Sequence, residues 1–133
     1  MGLIYLEACI LIYAIERHPV WGEPLLRRIE EPTGDSYAIS PLVISECLVG
    51  PLRKGDRALL AAFEDMFAAQ IQLPLTDETY RAAARIRADH RLKTPDALHL
   101  ACALRHGCTA LWTNDTRLHV AGGGIARALA DLA

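Results

Sequence analysis

Four carboxylates in this chain stand in apolar segments. Glu7 interrupts the run "LIYLEACILIYAI" (residues 3–15), Glu46 lies inside "PLVISECLVG", Asp96 lies in "TPDALHLACAL", and Asp115 ends "WTND". Burying a carboxylate among such neighbours is costly without a partner. Each acid has an ordinary explanation. An acid in the first helical turn complements the helix dipole, which suffices for Asp96. Asp115 can form a turn, and Glu46 can face solvent on an amphipathic helix. Glu7 is the hardest to explain in this way, because its neighbours on both sides are apolar. Brought together, the four would repel one another unless a cation joined them. Carboxylates hold hard divalent cations such as Mg²⁺ while leaving ligand positions for water and phosphate. One or two such ions suit the hydrolysis of a phosphodiester.

The elements that must position these acids follow from patterning. "LIYL" (3–6) reads as a strand, followed by a helix from Ala8 to about Ile15. "PLLRRIEE" (24–31) suits a short helix, "PTGD" a turn, and "SYAIS" (36–40) a second strand. Over 40–50, Ser40 can cap a helix, Pro41 fits its first position and Gly50 can end it. A further helix over 56–70 places Leu59, Leu60, Phe63, Met66 and Phe67 on one face. "IQLPL" (71–75) is a third strand, and Thr76 caps the helix after it. Thr94-Pro95 opens a helix ended by Gly107, and "TALWT" (109–113) is a fourth strand. The tail from Gly122 has three glycines and then "IARALADL" at helical spacing.

Strands alternating with helices predict βαβ units, hence a single α/β domain over 1–133 with a parallel sheet and helices on its faces. Glu7 then falls just past the first strand and Asp115 just past the fourth. In open parallel sheets ligands sit at that strand edge.

The 133 residues are 52% hydrophobic and 23% charged, with net charge −2, which describes a globular chain with no global attraction to nucleic acid. The opening run is too short to span a bilayer and lacks the features of a signal peptide. Cys9, Cys47, Cys102 and Cys108 make no CxxC pair, so a cytoplasmic protein with reduced, packed thiols is expected. A local basic rim is present nonetheless. Arg81, Arg85, Arg87, Arg91 and Lys93 precede Asp96, and Arg91, Lys93 and Arg87 are the candidate contacts to a nucleic-acid backbone. "PLRKGDR" (51–57) is a weaker candidate. His99, one turn past Asp96, reads as a packed or supporting histidine before an acid–base one. No Ser-His-Asp pattern, phosphate-cradling loop or dinucleotide fingerprint is present.

The segments "IYLEACILIYAIERHP", "ISPLVISECLVG", "KTPDALHLACAL" and "ALWTND" resemble, in order, the four acidic motifs of PIN-domain ribonucleases, especially VapC-type toxins of toxin–antitoxin pairs. "TPDALHLA" followed by "TND" is the most specific part, and the likeness spans nearly the whole chain. The resemblance implies a three-layer PIN-like fold whose central parallel sheet has four or five strands. It implies an Mg²⁺- or Mn²⁺-dependent endoribonuclease with Glu7, Glu46, Asp96 and Asp115 as metal-holding catalytic acids, supported by Thr113 and Asn114. It also implies a homodimer, paired through helices 41–50 and 56–70, and neutralisation by a small VapB-like antitoxin. Two positions depart from the family pattern. The first motif usually reads Asp-x-Asn and here is Glu7-Ala8-Cys9. Cys9 matches a branch with an "LDxCxxIY" opening. Glu7 adds a methylene, displacing the carboxylate by about 1–1.5 Å where such sites tolerate roughly 0.5 Å. A natural attenuated variant and a deliberate Asp→Glu change made to disarm a nuclease both fit that residue. A catalytically inactive module that only binds antitoxin or RNA is the alternative.

Overall fold

Strands that are apolar on both faces must be covered on both faces, and this chain arranges its segments to do so. A computed structural model of the chain describes residues 2–129. In chain order its elements are β1 (Leu3–Leu6), α1 (Ala8–Ile15), α2 (Gly22–Glu30), β2 (Ser36–Ile39), α3 (Pro41–Lys54), α4 (Arg57–Ala68), β3 (Ile71–Gln72), α5 (Asp77–Asp89), α6 (Thr94–Arg105), β4 (Ala110–Trp112), α7 (Thr116–Gly122) and β5 (Ala126–Arg127).

The five strands form one parallel sheet in the order β3-β2-β1-β4-β5. β1 is central, with Ile4 opposite Tyr37 on one side and Leu6 opposite Trp112 on the other. The chain builds outward through β2 and β3, then crosses back beyond β1 to lay down β4 and β5. Right-handed crossovers in opposite directions place their helices on opposite faces. Accordingly α1 packs against α2, α3 and α4, while α6 packs against α5 and α7. The result is a three-layer α/β fold. Leu6, Ile10, Ile39, Val43, Phe63 and Leu111 are fully buried between the layers.

Several boundaries differ from expectation. The helix entered at Pro41 does not stop at Gly50; it continues through Pro51 to Lys54 and ends at Gly55, whose φ of +64° is the left-handed cap. One glycine inside a helix costs only about 1 kcal/mol relative to alanine, and Pro51 is buried against the core. Ser40 occupies the N-cap position of α3, but its side chain caps nothing there. Thr94 lies inside α6, whose N-cap is Lys93, so Asp96 is the third helical residue. Thr76 does cap α5, in a reciprocal pair with Thr79. β3 is only two residues long.

The tail departs most. A seven-residue helix, α7, runs into the first of the three glycines, and Ala126–Arg127 form β5 where helical spacing was expected. Pairing with β4 (Leu111 opposite Ala126, Trp112 opposite Arg127) outweighs local helix preference at this edge. The end of the expected helix, 130–133, lies outside the described residues.

Candidate active site

β1 ends at Leu6, and Glu7 is the N-cap of α1 with extended backbone (φ −72°, ψ 157°). Its N–H donates to the Trp112 carbonyl at 3.2 Å, which ties the end of β1 to the end of β4. These are the strands between which the strand order reverses, where open sheets bind their ligands. Thr113, Asn114 and Asp115 leave β4 at the same edge.

The hydroxyl of Thr113, fully buried, donates to Glu7 Oε2 and accepts from the Asp115 N–H at 3.0 Å. One side chain therefore links the first acid to the last. Asp115 is also the N-cap of α7, its Oδ1 accepting from the N–H groups of Arg117 (2.9 Å) and Leu118 (3.4 Å). Asn114 donates to the Tyr13 hydroxyl at 3.1 Å, fastening the loop to α1. Glu7, Cys9, Asn114, Asp115, Thr116 and Arg117 line a cleft of about 340 Å³.

Asp96 enters from α6 and Glu46 from α3. Glu46 Oε1 lies 2.6 Å from His99 Nε2. The Glu7 carboxyl is held above its usual range, first by burial and then by the charges of Asp96 and Glu46, against the Thr113 hydrogen bond and His99, which lower it. Asp96 is likewise raised, first by burial and next by Asp115, with His99 and Arg117 opposing. The four expected acids thus form one electrostatic cluster. Their donors are all carboxylate oxygens, the chemistry of a hard divalent cation, and the raised proton affinities of Glu7 and Asp96 are what a bound cation relieves. Among the described residues, however, no three His, Cys, Asp or Glu side chains stand close enough together to hold one ion.

Of the expected basic contacts, Arg91 is exposed and lines a second cleft of about 440 Å³ with Asp89, His90, Leu92, Thr116, Arg117 and Val120. Thr116 and Arg117 border both clefts. Lys93 is exposed at the start of α6. Arg87 instead donates to the Leu92 carbonyl at 3.2 Å, closing the α5–α6 loop. Arg81 pairs with Asp77 at 2.6 Å on an exposed surface.

Arg117 and Tyr5 were not singled out from sequence. Arg117 follows Asp115 by two residues, and its position only gains meaning once α7 exists. Tyr5 lies in β1 and reads from sequence as one more apolar strand residue, so no signal in its own segment points to it. The cysteines are free, with Cys47, Cys102 and Cys108 buried. Burial pushes Cys47 and Cys102 up to about 12 and Cys108 up to about 11, as packed thiols. Among the described residues no helix is long and apolar enough to cross a membrane.

The family model of the PIN domain matches residues 4–124. No curated protein matches the chain. Among solved structures, the chain is similar to a DNA-bound VapBC from Salmonella typhimurium, with TM-score 0.79, 20% identity and coverage of 97% of this chain and 99% of that one. VapBC2 from Rickettsia felis, bound to a promoter DNA fragment, matches with TM-score 0.77 and 17% identity over 95% and 98%. A sarcin–ricin-loop-cleaving VapC toxin of Mycobacterium tuberculosis matches with TM-score 0.72 and 17% identity over 90% and 95%.

Proposed function

We propose that this chain, which belongs to the PIN domain family, is a divalent-metal-dependent endoribonuclease of the VapC toxin type. The observation that carries the reading is the shared electrostatic strain of the acids. Glu7 and Asp96 are both pushed toward protonation by burial and by other members of the same cluster. Like charges gathered together and partly withdrawn from solvent are a liability without a cation, and here they come from separate parts of the chain to the sheet edge where ligands bind.

In this reading Glu7, Glu46, Asp96 and Asp115 hold Mg²⁺ or Mn²⁺. The chemistry such an ion supplies when bound is polarisation of a phosphate and a water of lowered pKa. The chain does the positioning. Thr113 orients Glu7 and the backbone leading to Asp115, and Asn114 fixes the loop between them. Arg117, Arg91 and Lys93 draw the RNA backbone along the two adjoining clefts. Arg87 is better assigned to the loop it closes than to RNA. The similarity to VapBC assemblies and to a sarcin–ricin-loop-cleaving toxin supports an RNA substrate and a small VapB-like antitoxin partner. Pairing of two copies through α3 and α4 accords with the exposure of Val49 and Leu52 on α3.

One observation favours a second reading, a module that binds antitoxin or RNA without cutting. Glu7 carries a methylene more than the family's aspartate, and no three acids close on one point. The test is cleavage of a structured RNA in Mn²⁺, in chelator, and by Asp96→Asn. The nuclease reading expects activity in Mn²⁺ alone and its loss in the other two. Activity that survives chelation and Asp96→Asn contradicts it.

A further inference from the structure

Behind the acids the fold buries a run of polar groups that the proposed chemistry does not itself require. His99 Nε2 lies 2.6 Å from Glu46 Oε1, His99 Nδ1 2.7 Å from the Tyr5 hydroxyl, and that hydroxyl 2.8 Å from Ser40 Oγ. His99, Tyr5 and Ser40 are each 0% exposed, while the Glu46 side chain keeps 35% of its surface. The partners come from α6, β1, the β2–α3 junction and α3. Local structure does not ask for them. Ser40 stands at a cap position without capping, and His99 sits among buried Ala97, Leu98, Leu100 and Ala101. Apolar side chains of similar volume are often as stable in such places. What a satisfied polar network adds is a single orientation.

The hydrogens can be followed through it. In either protonation state of the imidazole, Nε2–H donates to the Glu46 carboxylate. When the ring is neutral, Ser40 O–H donates to the Tyr5 oxygen and Tyr5 O–H to Nδ1; when it is protonated, Nδ1–H donates to the Tyr5 oxygen and Tyr5 O–H to Ser40 Oγ. Each of the three contacts then has one donor and one acceptor. The Tyr5 and His99 rings, 5.6 Å apart and tilted by 60°, would lose both imidazole contacts if the histidine turned over. The network holds one oxygen of Glu46, and its other oxygen has no protein hydrogen bond among the described residues. α6 carries both His99 and, one turn earlier, Asp96, so one helix register sets an acid and the anchor of another.

We propose that His99, braced by Tyr5 and Ser40, is a positioning residue that locks the carboxylate of Glu46 for the cation centre. The proposal rests on the cation reading given above, and outer-sphere partners of this kind typically change metal affinity by about 10- to 100-fold. The test measures Mn²⁺ affinity of the intact chain without RNA, by the electron paramagnetic resonance of free Mn²⁺, alongside thermal unfolding. His99→Leu is expected to weaken binding by about 10- to 100-fold, and Tyr5→Phe to weaken it less. His99→Gln, whose amide can replace the Nε2–H donor, restores part of the loss. Glu46→Gln added to His99→Leu weakens binding no further than Glu46→Gln alone. Wild-type affinity in folded His99→Leu overturns the proposal; should that variant not fold, wild-type affinity in Tyr5→Phe does so. Asp96→Asn separates the two levels. If Asp96→Asn abolishes binding while the His99 and Tyr5 variants retain it, only the positioning role falls. If the wild-type chain binds no Mn²⁺, the cation reading falls and takes this one with it.

Discussion

Thr113 is where two distant carboxylates become one site, because its single hydroxyl serves Glu7 and the backbone of Asp115 at once. Replacing it with valine keeps the volume but strands both partners. Thr113→Val should therefore cost about 1–3 kcal/mol in chemical denaturation, and Thr113→Ser much less. The acids themselves carry a pH signature. Glu7 and Asp96 have folded-state pKa values raised above their ordinary 4.5 and 3.8. An acid of this kind holds its proton more tightly in the native state, so the native fold binds more protons and stability falls as pH rises. The loss begins at those ordinary values and is complete above the raised ones. Without divalent ions, the melting temperature should fall across that window, and Glu7→Gln should flatten the fall. Mn²⁺ should restore stability at neutral pH. An unchanged slope in Glu7→Gln contradicts the burial of a strained charge at that position. The apolar neighbours of Glu7 made such strain visible from sequence, since a carboxylate there must find a partner. Tyr5, by contrast, read as one more apolar strand residue, because nothing in its own segment shows the partners that its hydroxyl meets.

Among the elements, α3 shows where local signals mislead. Gly50 looks like a stop, but the geometry that ends the helix belongs to Gly55, at φ +64° with open space around it. Only backbone conformation is at issue there. Gly55→Ala should cost about 1 kcal/mol with unchanged Mn²⁺ affinity, because Glu46 lies two turns away. A loss of affinity would show that the end of α3 transmits strain to its acid. β1, α1 and α4 were legible because their apolar patterning is regular, the polar Glu7 closing β1 and the apolar face of 56–70 defining α4, whose cap by Asp56 only the structure reveals. The tail was not. β5 is two residues long and exists through its pairing with β4, a non-local cause that helical spacing in "IARALADL" cannot reveal. α7 was hidden for a different reason, since its local cap, Asp115, was read as a site acid and not as a helix start.

At the scale of the whole molecule, a net charge of −2 means that the proposed reading requires RNA to be drawn by a local surface and not by the overall field. Arg117 and Arg91 flank the cleft next to the acids, whereas Arg87 is committed to the Leu92 carbonyl. Arg91→Ala and Arg117→Ala should each reduce the salt slope of RNA affinity by about 0.7, the value for one single-strand phosphate contact. Arg87→Ala should leave the slope unchanged and lower stability. The sheet edge was legible from alternating strands and helices, and with it the meeting of Glu7 and Asp115. The polar network was not, because Tyr5 and His99 lie 94 residues apart and only the closed sheet brings them together. All of this turns on whether the acid cluster performs hydrolysis and is weakened by one methylene. The most direct measurement is the single-turnover rate of RNA cleavage in Mn²⁺ by the chain and by Glu7→Asp. The account predicts that Glu7→Asp cuts faster, by about tenfold or more, as expected for realigning a reacting group by roughly 1 Å. A Glu7→Asp chain that folds and binds RNA but cuts it no faster than the original chain would contradict the account.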